Sequence, residues 1–149
     1  MRVLTMIKTE AAYKRAIEKL QEDLDFIKSE KERLSQIGLT EEEINTVIEP
    51  QITFHAQMEE EVQYYEKIKR GEFNPILNFN DIGKVLVAYR IYIGISQQEL
   101  AARLNVSEAQ VSRDERHEYY GATKERIHEV MQAMKMIAIT QIELSAASA

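Results

Sequence analysis

The stretch SQQELAARLNVSEAQVSRDE, residues 96–115, contains the most specific structural pattern in the chain. Ser96 and Ser107 each precede a short amphipathic run, and serine is preferred as the N-cap of an α-helix because its hydroxyl accepts a bond from an otherwise unpaired backbone amide. The spacing predicts helices over 97–104 and 108–116, joined by the tight turn Asn-Val-Ser.

The apolar residues of this stretch support two helices that cross closely. Leu100, Ala101 and Leu104 fall on the inner face of the first helix, and Val111 falls on the inner face of the second. Ala101 is a small residue at the position where the two helices must cross closely. Asn105 can take the left-handed backbone conformation that ends a helix.

Two further helices are predicted around this pair. Asn80 is a candidate N-cap for a helix that runs to Ile93, and Gly94 follows it as a stop. Thr123 is a candidate N-cap for a last helix that reaches about Leu144. The apolar stripe of that last helix is longer than a small helical domain needs, so we expect it to dock on the N-terminal segment or on a second subunit.

The N-terminal segment predicts a helical hairpin. Positions spaced alternately by four and three form a heptad seam on a helix over about 9–36. Its apolar members are Tyr13, Ile17, Leu20, Leu24, Ile27 and Leu34, and Lys31 occupies the remaining slot. Gly38 can end this helix. Thr40 and Glu43 then match a capping box, and Pro50 predicts a break before a longer helix that reaches Arg70. Two facing stripes joined by a short turn indicate antiparallel helices that serve either dimerisation and scaffolding or capture of a partner.

Turn-forming residues near the middle of the sequence divide the chain into two predicted domains. GEFNP contains two turn-forming residues, so a linker is predicted at about 71–79. The expected domains are a hairpin over 1–72 and a helical domain over 73–145, with a frayed tail over 146–149. Strand patterns are missing, and the predicted fold class is all-α.

Composition restricts the function. The chain of 149 residues has a formal net charge of -6 and no cysteine. Residues 1–74 contain 11 Lys and Arg against 16 Asp and Glu, and residues 75–149 contain 8 against 9. Neither half is therefore the basic body of a strong, non-specific nucleic-acid binder. No apolar run is long enough to span a membrane, and no secretory segment is present, so we expect a cytoplasmic protein with no membrane partner.

The stretch 96–115 resembles the helix-turn-helix of the XRE family, which contains lambda-type phage repressors and Cro. The matching residues are Ser96, Gln97, Leu100, Ala101, Val106, Ser107, Val111, Ser112 and Glu115. The resemblance covers about residues 80–141 and implies a five-helix, lambda-repressor-like DNA-binding domain. A helical arm before such a domain is also similar to antitoxins of the HigA type.

This resemblance implies that helix 108–116 lies in the major groove of DNA. The residues predicted to face base edges are Glu108, Ala109, Gln110, Ser112 and Arg113. Arg113 can form a bidentate pair with guanine. A glutamate at position 108 is explained equally well by base contact and by its favourable interaction with the helix dipole in the first turn. The residues predicted to contact the DNA backbone are Gln97, Ser107, Arg116, His117, Tyr119 and Lys124. Tyr119 and Tyr120 could alternatively cover the edge of the core.

By the same resemblance, Arg90 and Glu115 form a partly buried ion pair that ties the first helix of the domain to the end of the reading helix. Asp114 departs from the family pattern, in which an apolar residue is common. It could cap a backbone turn or meet Arg116 or Arg126.

The sequence therefore predicts a sequence-specific DNA-binding transcriptional regulator, a repressor and a homodimer. The alternative is an antitoxin whose N-terminal arm binds a toxin or another protein. No nucleophile with a neighbouring base, glycine-rich phosphate loop or metal-ligand cluster is evident, so we expect neither an enzyme nor a cofactor, and no metal at His55 or His128.

Overall fold

The computed structural model describes residues 6–145. Within them lie six α-helices and no strand, which confirms the all-α class. The helices are α1 (Glu10–Gln36), α2 (Glu41–Lys69), α3 (Ile82–Tyr92), α4 (Gln97–Leu104), α5 (Glu108–Arg116) and α6 (Lys124–Ala133).

The chain divides into two compact units, unit 1 over Met1–Leu77 and unit 2 over Asn78–Ala149. The division falls within the predicted linker, five residues later than the predicted boundary at 72. The predicted tail at 146–149 lies outside the described residues.

In unit 1, α1 and α2 pack against each other and run in opposite directions. Near the start of α1 and the end of α2, the Tyr13 hydroxyl donates to Glu66 Oε1 at 2.6 Å, and the Tyr13 ring stacks on Tyr65 with centroids 4.6 Å apart. Near the turn, a buried cluster joins the two helices, and its members are Ile27, Leu34, Ile44 and Ile48. Apolar contact therefore extends along the pair.

The heptad seam predicted for α1 is buried only in part. Ile27 and Leu34 are in the core, whereas Ile17 and Leu24 are 41% and 50% exposed. In a two-stranded coiled coil one partner helix covers both rows of the seam, so the burial of Ile27 and Leu34 alone shows that only one row of α1 packs into the core.

The predicted break at Pro50 is wrong, since α2 continues through it from Glu41 to Lys69. A proline within a helix removes one backbone hydrogen bond and costs about 3 kcal/mol. Pro50 is exposed, so the carbonyl that loses its donor can be hydrated. Buried residues on both sides, including Ile48 and Val62, hold the two halves in one line.

A capping box begins α2. The Thr40 hydroxyl accepts from the Glu43 amide at 3.2 Å, and the Glu43 carboxylate accepts from the Thr40 amide at 3.2 Å. This bond to the Thr40 backbone holds the pKa of Glu43 below its ordinary value of 4.5. The sequence prediction for this helix start is confirmed.

We expect Thr40→Ala to lower the free energy of unfolding by about 0.5–2 kcal/mol, because a backbone amide loses its acceptor. The contribution of Glu43 depends on pH. Since its folded-state pKa is lowered, the contribution is present above pH 4.5 and is lost as the pH falls through the folded-state pKa. Urea denaturation from neutral to acid pH measures both effects. Glu43→Gln should reduce the acid-side loss, and an unchanged pH dependence in that variant would count against the box.

Four helices form unit 2 within the described residues, and serine or threonine caps three of them. Ser96, Ser107 and Thr123 accept from the amide three residues ahead, as predicted. The start of α3 differs, because its N-cap is Asp81 and not Asn80. Asp81 has a φ of 63° and makes no side-chain capping bond.

The last helix is shorter than predicted. It ends at Ala133, and Lys135 follows with a φ of 54°. The Lys135 amide donates to Gln132 O and the Met136 amide donates to Met131 O at 2.9 Å, the pair of bonds that closes a Schellman motif. The Arg103 guanidinium adds a bond to the Ala133 carbonyl at 3.0 Å. The prediction that this helix reaches Leu144 is wrong, and unit 2 contains four described helices where the resemblance implied five.

The core of unit 2 lies between these helices. Its most completely buried apolar residues include Leu86, Val87, Leu100, Val111 and Val130. None of the described helices combines the length and apolar character that crossing a membrane requires.

Candidate nucleic-acid interface

The turn between α4 and α5 is formed by Asn105, Val106 and Ser107. Asn105 has φ 56° and ψ 44°, the left-handed conformation that an asparagine tolerates. The Val106 amide donates back to Ala101 O at 3.0 Å, so the chain reverses at once. The Ser107 hydroxyl then accepts from the Gln110 amide at 3.1 Å and starts α5. The two helices are therefore held at a fixed angle by backbone and cap bonds.

The inner and outer faces of α5 are clearly different. Val111 and Glu115 are completely buried. Glu108, Ala109 and Arg113 are exposed, and the other two predicted base-reading residues, Gln110 and Ser112, are half-buried. The five residues predicted to face DNA thus lie on the first two turns of α5 with their exposed members on its outer side.

A buried ion pair fixes the inner side of α5. Arg90 Nε and Nη2 donate to the two carboxylate oxygens of Glu115 at 2.6 and 2.8 Å. The side chains of both residues are almost fully buried, at 3% and 0% exposed. Arg90 Nη1 also donates to Ile95 O at 2.9 Å. A buried charge pair is stable only when its remaining hydrogen-bonding groups are satisfied, and this pair meets that condition.

Gln97 completes the cluster. Its amide nitrogen donates to Glu115 Oε1 at 2.8 Å, and the side chain is half-buried. Glu115 therefore receives bonds from α3 and from α4, and three helices meet at one carboxylate. The sequence assigned the Gln97 side chain to DNA phosphate, and the structure instead directs its amide nitrogen into the domain.

Asp114 belongs to a chain of side-chain contacts along α5. Gln110 Nε2 donates to Asp114 Oδ1 at 2.9 Å, and Arg113 Nη2 donates to Gln110 Oε1 at 2.8 Å. On its other side, Asp114 meets Arg126 of α6 at 3.4 Å, which is one of the partners considered from sequence. The half-buried Asp114 carboxylate therefore lies between Gln110 and Arg126. The bond from Arg113 to Gln110 orients the exposed Arg113 guanidinium.

The segment after α5 makes an unusual turn. Glu118 and Tyr119 both have positive φ values, 53° and 55°. The Tyr119 amide donates to Asp114 O at 2.7 Å. Burial raises the pKa of the Tyr119 hydroxyl well above its ordinary value of 10.0, and the nearby Glu115 and Asp114 carboxylates raise it further.

Tyr119 therefore belongs to the core edge, and the alternative interpretation of this residue applies. It is 6% exposed, which removes it from the surface available to a phosphate. Its neighbour Tyr120 is 94% exposed. Four of the other residues predicted to contact the DNA backbone are also exposed, namely Ser107, Arg116, His117 and Lys124.

Gly83 has a role that sequence analysis missed. A Cβ atom at this position on α3 would lie 1.7 Å from the Glu118 carbonyl oxygen. Only a glycine lets the backbone of the exit turn come this close to the helix. A glycine inside a predicted helix is a signal of close approach, but it does not reveal which segment approaches.

No group of three or more His, Asp or Glu side chains within residues 6–145 is arranged to hold a metal ion. The chain matches no protein-family model, and comparisons with curated proteins and with solved structures give no match.

Proposed function

We propose that this protein is a sequence-specific DNA-binding transcriptional regulator of the XRE type, a repressor that reads the major groove with α5. The observation that carries the proposal is the combination of a tight α4–α5 turn with a buried ion pair at the inner end of α5. A reading helix needs a rigid support, because base contacts depend on side chains held at fixed positions.

The exposed side of α5 has the chemistry that base edges require. Arg113 can donate two bonds to the O6 and N7 atoms of guanine, which is worth about 1–3 kcal/mol of discrimination. In the protein without DNA, the bond from Arg113 to Gln110 orients the guanidinium. Ala109 can contact a thymine methyl group, and Glu108 and Ser112 can accept or donate at other base edges.

The acidity of the segment is compatible with this function. Glu115 is buried and paired with Arg90, so its charge does not face the groove. Asp114 is half-buried and paired with Arg126. Arg116, His117 and Lys124 are exposed beyond the reading helix and can donate to phosphates.

A twofold dimer would present two copies of α5 to half-sites about one helical turn apart. The net charge of -6 favours a regulator of few sites over a protein that coats DNA. A regulator of this kind works in the cytoplasm, where a chain without cysteine is well suited.

Binding across a salt series tests the proposal. We expect duplex DNA from upstream of the protein's own coding sequence to bind more tightly than a shuffled duplex of equal composition at every salt concentration. Lys124→Ala should weaken both duplexes alike and reduce the salt dependence, because phosphate contacts carry no sequence information. Equal affinity of the wild-type protein for both duplexes throughout the series would leave the proposal without support.

Unit 1 favours a second candidate function, an antitoxin-like arm that binds a basic protein. A shallow cleft between α1 and α2 is lined by Phe26, Pro50 and Phe54 together with Lys19, Glu22 and Asp23. Lys19 pairs with Asp23 at 2.9 Å, so these three charged residues leave one net negative charge at the cleft. The two phenylalanines are 53% and 42% exposed. Exposed aromatic side chains beside carboxylates suit a basic protein surface. The two functions can coexist in one chain.

A further inference from the structure

Four large apolar side chains are highly exposed in the described segment that follows α6. Ile137, Ile139, Ile142 and Leu144 are 87%, 90%, 82% and 94% exposed, and none lies in a helix or strand. Apolar side chains this exposed within eight residues mark an interaction surface in a soluble protein.

The composition of the segment favours a β-strand. IAITQIEL, residues 137–144, contains three isoleucines and a threonine, residues that are enriched in strands, and no glycine or proline. Its one charged residue is Glu143. A single carboxylate and no cation argue against DNA as the binding partner, because phosphates repel acids.

The order of residues makes the segment complementary to itself. When two copies lie antiparallel with Thr140 opposite Gln141, Ile137 of each copy lies opposite Leu144 of the other, and Ile139 lies opposite Ile142. Every large apolar residue then has an apolar residue directly across, at a Cβ separation of about 4.5–5.5 Å. Glu143 falls opposite Ala138, so the two carboxylates do not face each other. A twofold interface requires this kind of self-complementarity.

We propose that residues 137–144 pair with the same segment of a second copy to form an intermolecular antiparallel β-ribbon, and that this ribbon is the dimer interface of unit 2. The segment gains strand hydrogen bonds and cross-strand apolar contacts only in the dimer. The expectation that this dimer binds paired DNA half-sites rests on the proposed DNA-binding function. Formation of the ribbon itself can be measured without DNA.

Light scattering coupled to size-exclusion chromatography of the full chain tests the ribbon. We expect the mass of a dimer for the wild-type protein, and half that mass for Ile139→Lys and for Ile142→Lys. Ile37→Lys is the matched control, because Ile37 is 63% exposed at the end of α1 and should leave the dimer intact. A monomeric wild-type protein, or a dimer that survives both substitutions in 137–144, would overturn the proposal.

The absence of cysteine allows the register to be tested directly. Two proteins are prepared, one with Ile139→Cys and one with Ile142→Cys, and each is oxidised alone and in a mixture. We expect disulfide-linked dimers to form faster in the mixture, because the two positions face each other across the ribbon. Equal yields in all three samples would contradict this register. If the dimer and register results hold and no sequence-specific DNA binding is found, the ribbon stands and the proposed function falls.

Discussion

Glu115→Ala should lower the free energy of unfolding of unit 2 by about 3–5 kcal/mol, because it leaves the Arg90 guanidinium buried without its counter-charge. Arg90 is 2% exposed, so water cannot replace the lost carboxylate without opening the core. Gln97 also loses the oxygen to which its amide donates. A domain is typically stable by only about 5–15 kcal/mol, so the variant is close to unfolding.

Amide hydrogen exchange in α3 and α5 measures this effect separately from unit 1. Glu108→Ala is the control, since Glu108 is exposed on the same helix, and its effect should stay within about 0.5 kcal/mol. The double variant Arg90→Met, Glu115→Leu removes both charges and should recover much of the loss. If Glu115→Ala is no more destabilising than Glu108→Ala, the ion pair does not hold α5 in place.

Gly83→Ala should also destabilise unit 2, by about 1–3 kcal/mol or more, because the added methyl group overlaps the Glu118 backbone. The Cβ atom would lie 1.7 Å from the Glu118 carbonyl oxygen, and backbone cannot rotate away as a flexible side chain can. Glu118 has a positive φ, so moving this turn disturbs an already constrained segment.

The sign of the Gly83→Ala effect is informative. In an unhindered helix, alanine is more favourable than glycine by about 0.8–1.0 kcal/mol. Lys84→Ala, the next position on α3, is the matched control and should change stability by less than about 0.5 kcal/mol. Urea denaturation compares the two variants. A more stable Gly83→Ala protein would mean that α3 and the exit turn are not in contact.

The helix starts were predictable from sequence where a single side chain decides them. Thr40, Ser96, Ser107 and Thr123 cap their helices through bonds to an amide three residues away, so local sequence contains the whole interaction. Pro50 and the end of α6 were not predictable in this way. The path of α2 through Pro50 depends on buried contacts on both sides. The end of α6 is followed by Lys135 in the left-handed conformation, and Arg103 of α4 donates to the Ala133 carbonyl there.

The candidate site was predictable to a similar extent. Helical spacing indicated which residues of α5 face outward, and the resemblance paired Arg90 with Glu115 across 25 positions. The bond from Gln97 to Glu115 and the burial of Tyr119 arise from tertiary packing, so neither had a local signal. Asp114 was an open question in the sequence. Its bond from Gln110 is a local pair four residues apart on α5, whereas its contact with Arg126 depends on where the fold places the start of α6.

Selection from a pool of random duplexes measures whether α5 reads base sequence when the wild-type protein and Arg113→Ala are compared in parallel. We expect the wild-type protein to enrich a defined motif. Arg113→Ala should enrich the same motif with one guanine position no longer specified, since the bidentate contact at that base pair is worth about 1–3 kcal/mol. A wild-type selection that enriches no motif, or two motifs that agree at every position, would contradict the claim.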